Sequence, residues 1–180
     1  MLNLHLLKQI IMTEKPPIPL SKEELKIVFT HNLNRLYFGK RYLDEHLEEL
    51  IKLASFNDLQ LALQEFWDDV KNQITRMEDI FTLVKEKPSD KDCNPIKAIV
   101  KQNFCLEEKD LLPIITDMDV ILYVQLLEHV NITAYRMMKM IASQLKWTEV
   151  TQLLTECFDE STEDDHLFVQ ISKRYMEKVK

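Results

Sequence analysis

Residues 35–50, RLYFGKRYLDEHLEEL, read as an amphipathic helix that carries two residues such a helix does not ordinarily place on its inner face. Phe29, Leu33, Leu36, Leu43, Leu47 and Leu50 recur at intervals of three, four and seven, the spacing that lines up one side of an α-helix. Lys40 falls in the middle of that side, and the chain's only glycine, Gly39, is its neighbour. A lysine on a buried stripe either extends its ammonium to water or is met by carboxylates from other helices. A glycine inside a helix costs about 1 kcal/mol in propensity, which the close approach of another helix would justify.

The rest of the chain extends this reading. One Gly and six Pro among 180 residues leave few turns for an all-β design, and helix-forming Leu, Glu, Lys and Gln are abundant, so the expected fold class is all-α. The length and the 46% hydrophobic content suffice for one sizeable core. A net charge of −7, with no Lys/Arg cluster above that background, argues against nucleic acid as a partner. Cys93, Cys105 and Cys157 form no Cys-x-x-Cys pair and are read as free thiols of a reducing cytoplasm. The apolar run in MLNLHLLKQIIMTEKPPIPL is too short to span a bilayer, so no membrane association is expected. Residues 1–20 are read as an N-terminal extension, with 1–11 either upstream of a start at Met12 or a short docked helix, and 21–180 as a single domain.

Four long helices follow from the periodicity. The first begins at Ser21, which has capping-box spacing to Glu24, and runs to about Ala54. The second starts with Asn57 as N-cap and turns Phe66, Val70, Gln73, Met77, Ile80 and Val84 inward. The third spans roughly Asp117 to Leu145, facing in with Val120, Val124, Leu127, Glu128, Asn131, Tyr135 and Met138. The fourth runs from about 148 to 178, facing in with Leu153, Cys157, Glu160, Asp164, Phe168 and Ile171. A short helix capped by Asn94, with Pro95 in its first position, interrupts a crossover of roughly thirty residues between the second and third. Two antiparallel hairpins joined by one long crossover describe the ferritin-like four-helix bundle.

On these stripes the core would hold Lys40, Gln73 with neighbouring Asp69, Glu128, Asn131, Glu160 and Asp164. Carboxylates from several helices are what a di-metal centre requires, but Lys40 stands where the first helix should contribute one. An ion-paired polar network needs only proximity, whereas a metal site needs a fixed ligand set, so the network is the preferred reading. His129, about 100° round its helix from the stripe, is read as a surface histidine. No nucleophile elbow, phosphate loop or metalloprotease motif is present, which removes most enzyme classes.

The blocks LYFGKRYL, EFWDDVKNQITRMEDIF, CNPIKAIV, LLEHVNITAYRMM and VTQLLTECFDES, in this order across residues 22–175, resemble the YciE/YciF family of bacterial ferritin-like proteins. Where that family has Tyr-Ser-Ala-Glu, this chain has YFGK, which sets Lys40 at the glutamate. Glu-Glu-Thr becomes Asp68, Asp69 and Val70. Met-Glu-Gly becomes Ile96, Lys97 and Ala98. Glu-His-Tyr-Glu becomes EHVN, keeping Glu128 and His129 but ending in Asn131, and the fourth helix keeps Glu160 with Ser161 in place of an acid. The resemblance thus implies a degraded di-metal motif, with Lys40, Asp69, Gln73, Lys97, Glu128, Asn131, Glu160 and Asp164 as a core network. It implies a stress-associated, non-catalytic structural or interaction module of a bacterial cytoplasm, homodimeric and without a cofactor. The alternative is an iron or manganese oxidoreductase with a ligand set of Asp69, Glu128, His129 and Glu160. Phe38, Tyr42 and Trp67 are the apolar residues offered for a dimer surface, or else as cover for the crossover.

Overall fold

A computed structural model of the chain describes residues 20–91, 94–101 and 112–177. Every regular element among them is helical: α1 (Lys22–Asp44), α2 (Leu47–Leu53), α3 (Asn57–Val84), α4 (Pro95–Lys101), α5 (Pro113–Gln144) and α6 (Thr148–Glu177). The expectations for residues 1–19, including a start at Met12, and for Cys93 and Cys105 fall outside the described residues.

The ends of the helices are fixed by side chains that satisfy backbone groups. Ser21 and Glu24 form the reciprocal capping box, with Glu24 N–H donating to Ser21 Oγ at 3.2 Å and Ser21 N–H to Glu24 Oε2 at 2.8 Å. Asn94 Oδ1 accepts from the N–H groups of Ile96 (3.1 Å) and Lys97 (3.2 Å), which caps α4. Its Nδ2 donates to the Arg35 carbonyl at 2.7 Å, fastening the crossover to α1. Asn57 does not cap α3: it is the first helical residue, and the cap position belongs to extended Phe56.

The first long helix is not continuous to Ala54. It stops at Asp44, turns through Glu45 and His46, and resumes as α2. His46 Nδ1 lies 2.7 Å from the Tyr42 carbonyl and competes for an acceptor of the helical ladder. Leu47 and Leu50 still reach the core, so the break changes direction without leaving the stripe.

α5 and α6 form the most extensive pairing, α3 packs on α6, and α1 packs on α3, α4 and α5. Lys26 near the start of α1 pairs with Glu86 just beyond α3, and Phe29 meets Trp147 at the α5–α6 turn, so these three segments share one end. Ser55, Asp117 and Tyr175 meet at the other. Chain neighbours α1/α3 and α5/α6 are therefore antiparallel, and the crossover returns along the bundle's length. This is the ferritin-like arrangement. Gly39 explains how α4 fits: a Cβ built there would stand 2.7 Å from Ile96 Cβ, so the missing side chain is what lets α4 lie against α1.

Candidate functional site: a buried lysine–carboxylate section

Halfway along the bundle the inward stripes become polar. Lys40 of α1, Gln73 of α3 and Glu128 of α5 are 0% exposed, and Asn131 of α5 and Asp164 of α6 are 1% and 3% exposed. Lys40 Nζ lies 3.6 Å from Glu128 Oε1, an ion pair with both side chains fully buried. The same carboxylate oxygen accepts from Asn131 Nδ2 at 2.8 Å. Tyr135 donates to Gln73 Oε1 at 3.0 Å. Lys40 Nζ, Gln73 Nε2, Glu128 Oε2, Asn131 Oδ1, Ser161 Oγ and Asp164 Oδ2 have no protein hydrogen-bond partner. Most buried polar atoms in folded proteins are paired, so six in one section make it chemically distinct from the rest of the core.

Burial governs ionisation here. It pushes the Asp164 carboxyl up to about 9, with the negative charges of Glu128 and Asp69 adding to the effect and Lys40 opposing it, so Asp164 is a neutral acid at pH 7. Burial likewise pushes the Cys157 thiol up to about 12, against the nearby cations Arg76 and Lys40, leaving it unreactive. The Tyr135 phenol is raised well above its ordinary value, chiefly by burial.

The structure brings together Lys40, Gln73, Glu128, Asn131 and Asp164 and leaves out the other expected members. Glu160 points along the α3–α6 seam, where Arg76 Nη1 donates to its Oε2 at 2.7 Å while Arg76 Nε binds Glu156 at 3.0 Å. Ser161, one residue on, occupies the inward position. Asp69 is half-buried beside that seam, its carboxyl raised by burial and then by the charge of Glu160. Lys97 lies on the outer side of α4, paired with Asp90 and 5.4 Å from the centre of the Phe38 ring. Its ammonium thus stands apart from the buried section. His129 is exposed, with Nε2 3.6 Å from Asp165 Oδ1.

One residue, Ser161, was not expected on the inward face, and the hydrogen bond from Tyr135 to Gln73 was not foreseen. Phe38, Tyr42 and Trp67 are engaged within the chain: Phe38 packs edge-on to Tyr37, Tyr42 lies against His46, and Trp67 donates to Asp44 at 2.6 Å.

These residues do not fit a di-metal centre. The buried donors are one carboxylate, one neutral carboxylic acid and two amides, and an ammonium group stands beside the carboxylate that would have to bridge or ligate. Among the described residues no three His, Cys, Asp or Glu side chains are grouped to hold one ion.

The family model described as "Domain of unknown function (DUF892)" matches residues 24–179. The chain belongs to that family, in keeping with its YciE/YciF-like motifs. Two solved structures share the fold. The stress protein YciF of E. coli superposes with a TM-score of 0.79 at 22% identity, covering 86% of this chain and 98% of that one. YcfI of Rhodopseudomonas palustris, described as "a putative structural protein", gives 0.74 at 20% identity, covering 86% and 97%. No curated protein matches the chain. No helix among the described residues is long and apolar enough to cross a membrane.

Proposed function

We propose that this protein is a non-catalytic, stress-associated ferritin-like module, structural or interactive in role, in which a lysine–carboxylate network stands in place of a di-metal centre. One observation carries the reading: the Lys40 ammonium, 0% exposed, faces the buried Glu128 carboxylate at 3.6 Å. A cation supplied by the chain balances the charge that a metal would otherwise balance, and Asp164 avoids adding a second negative charge by staying protonated. The stress association is supported by the description of YciF, and the structural role by that of YcfI. A cytoplasmic homodimer completes the reading, with sedimentation equilibrium as the check on its stoichiometry.

Metal content tests it. Protein purified without chelator and then incubated with Fe(II) or Mn(II) should retain less than about a tenth of an equivalent, and Lys40→Glu should raise uptake by restoring a carboxylate. About one equivalent or more in the wild type, lost in Glu128→Ala, would make an iron or manganese oxidoreductase the better reading.

A further inference from the structure

We infer that the mid-bundle section is a site of covalent self-modification, in which the Lys40 amine and the Asn131 carboxamide join in an isopeptide bond with Glu128 as proton carrier. The inference rests on the metal-free reading, because a metal there would occupy Glu128.

One oxygen, Glu128 Oε1, is the common neighbour of both reactants: Asn131 Nδ2 donates to it at 2.8 Å and Lys40 Nζ lies 3.6 Å away. Lys40 Nζ makes no hydrogen bond, so no hydrogen bond holds it away from a reaction partner, and Asn131 Oδ1 is also unpartnered. Lys40 and Glu128 are 0% exposed and Asn131 is 1% exposed. An amine, a carboxamide and a carboxylate excluded from water are the set that amide exchange requires. Solvation of the ammonium and competing hydrolysis are both suppressed, and reactants held on a common neighbour react as an intramolecular pair. The neutral Asp164 acid lies within electrostatic reach of Lys40 and Glu128.

The atoms balance without any co-reactant. The Lys40 ammonium gives one proton to the Glu128 carboxylate, and the amine adds to Asn131 Cγ. The Cγ–Nδ2 bond breaks as Glu128 protonates the departing nitrogen, which leaves as ammonia. The remaining surplus proton of the lysine nitrogen passes to Glu128. The products are a Lys40 Nζ–Asn131 Cγ amide, one ammonia and a neutral Glu128 acid. Two charges buried without full hydrogen bonding are thereby replaced by a neutral amide and a neutral acid, which favours the product where a buried ion pair is costly. The bond would tie α1 of the first hairpin to α5 of the second, in keeping with a structural role.

Intact mass spectrometry of the full-length protein, fresh and after prolonged incubation, is the test. The expected result is a mass about 17 Da below that of the sequence, with a branched peptide joining Lys40 and Asn131 after proteolysis. Lys40→Met and Glu128→Gln should each return the full mass for their own compositions. A wild type at full mass overturns the bond; it leaves the proposed function standing if metal is absent and overturns both if metal is bound. A loss of about 17 Da without the branched peptide, or one retained in Lys40→Met, marks asparagine cyclisation and overturns it too. A loss of about 18 Da mapped to Lys40 and Asp164 overturns the assignment to Asn131.

Discussion

Asp117 and Glu128 are both fully buried carboxylates, eleven residues apart on one helix, and their surroundings are opposite. Asp117 Oδ1 accepts from Ser55 N–H at 2.7 Å, and its Oδ2 accepts from Ser55 Oγ at 2.6 Å and Tyr175 O–H at 2.9 Å. It thereby fastens the turn before α3 and the last stretch of α6 to the start of α5. Glu128 has one amide donor, an ammonium beyond hydrogen-bond distance, and a second oxygen with no partner. The end of the bundle uses a buried charge to define where three segments meet. The middle holds one whose only close donor is on its own helix and whose cation comes from α1, so it does less to define where segments meet.

If the centre is held at a cost to stability, changing it should separate the cost of the pair from the cost of breaking it. Measured against wild-type protein whose Lys40 amine is still free, Lys40→Met leaves Glu128 buried without a cation and should lower unfolding free energy by about 3–5 kcal/mol in urea titration. Adding Glu128→Leu should restore wild-type stability or exceed it, because two well-packed apolar groups replace two desolvated charges. A double variant no more stable than Lys40→Met would place the centre alongside the end as a structural necessity.

Asp164 sharpens the comparison through pH. Its carboxyl stays protonated to about pH 9 in the fold, raised first by burial and then by Glu128 and Asp69, whereas the unfolded chain ionises it near the ordinary carboxylate value. The folded state therefore binds the extra proton across that window. Stability due to Asp164 is full in acid, is lost as pH rises at about 1.4 kcal/mol per unit, and levels off above about pH 9. Asp164→Asn imitates the neutral acid and should remove the slope. Its advantage over the wild type should grow by up to about 4 kcal/mol between pH 5 and 8. A constant difference would show that Asp164 is ionised in the fold.

At the end of the bundle the reverse is expected. Asp117→Asn replaces an acceptor oxygen by an NH2 group that faces the Ser55 donors, and should destabilise by about 2 kcal/mol. Tyr175→Phe, which removes one donor only, should cost about 1 kcal/mol.

How much of this was legible in the sequence differs between the same two regions. The stripes of α1, α3 and α5 were readable residue by residue, Lys40 included, because apolar residues at 3.6 spacing leave one choice of face. In α6 the choice was ambiguous: Leu153 and Leu154, and Glu160 and Ser161, are adjacent pairs, and a one-residue slip selects the wrong member of each. The buried set is Leu154, Cys157, Ser161, Asp164, Phe168 and Ile171. Arg76 supplies the physical reason that Glu160 stays on the seam, and a partner on another helix leaves no local trace. Lys97 was placed in the network by motif alignment alone, and α4 had no stripe to say which way it faced. The cluster at Asp117 joins residues far apart in the chain, so nothing near Asp117 announces it. The break after Asp44 lacks the Gly or Pro that would mark it.

The smallest effect belongs to the helix ends that close the bundle opposite Asp117. Lys85 and Lys146 are left-handed, with φ of 58° and 61°. Each ends its helix in the same way. Glu86 N–H donates to the Phe81 carbonyl and Lys85 N–H to Thr82, while Trp147 N–H donates to Ala142 and Lys146 N–H to Ser143. These are Schellman bonds, in which glycine is the usual left-handed residue. The chain's one glycine is at 39, where Ile96 needs the space, so lysine adopts a conformation that crowds its Cβ. Lys85→Gly and Lys146→Gly should each stabilise by about 0.5–1 kcal/mol, the relief of that strain less the greater freedom of glycine in the unfolded chain. The two gains should add, since the sites share no partner, and neither should alter the pH slope set by Asp164. A change in that slope would mean that the closed end and the polar centre are coupled rather than independent.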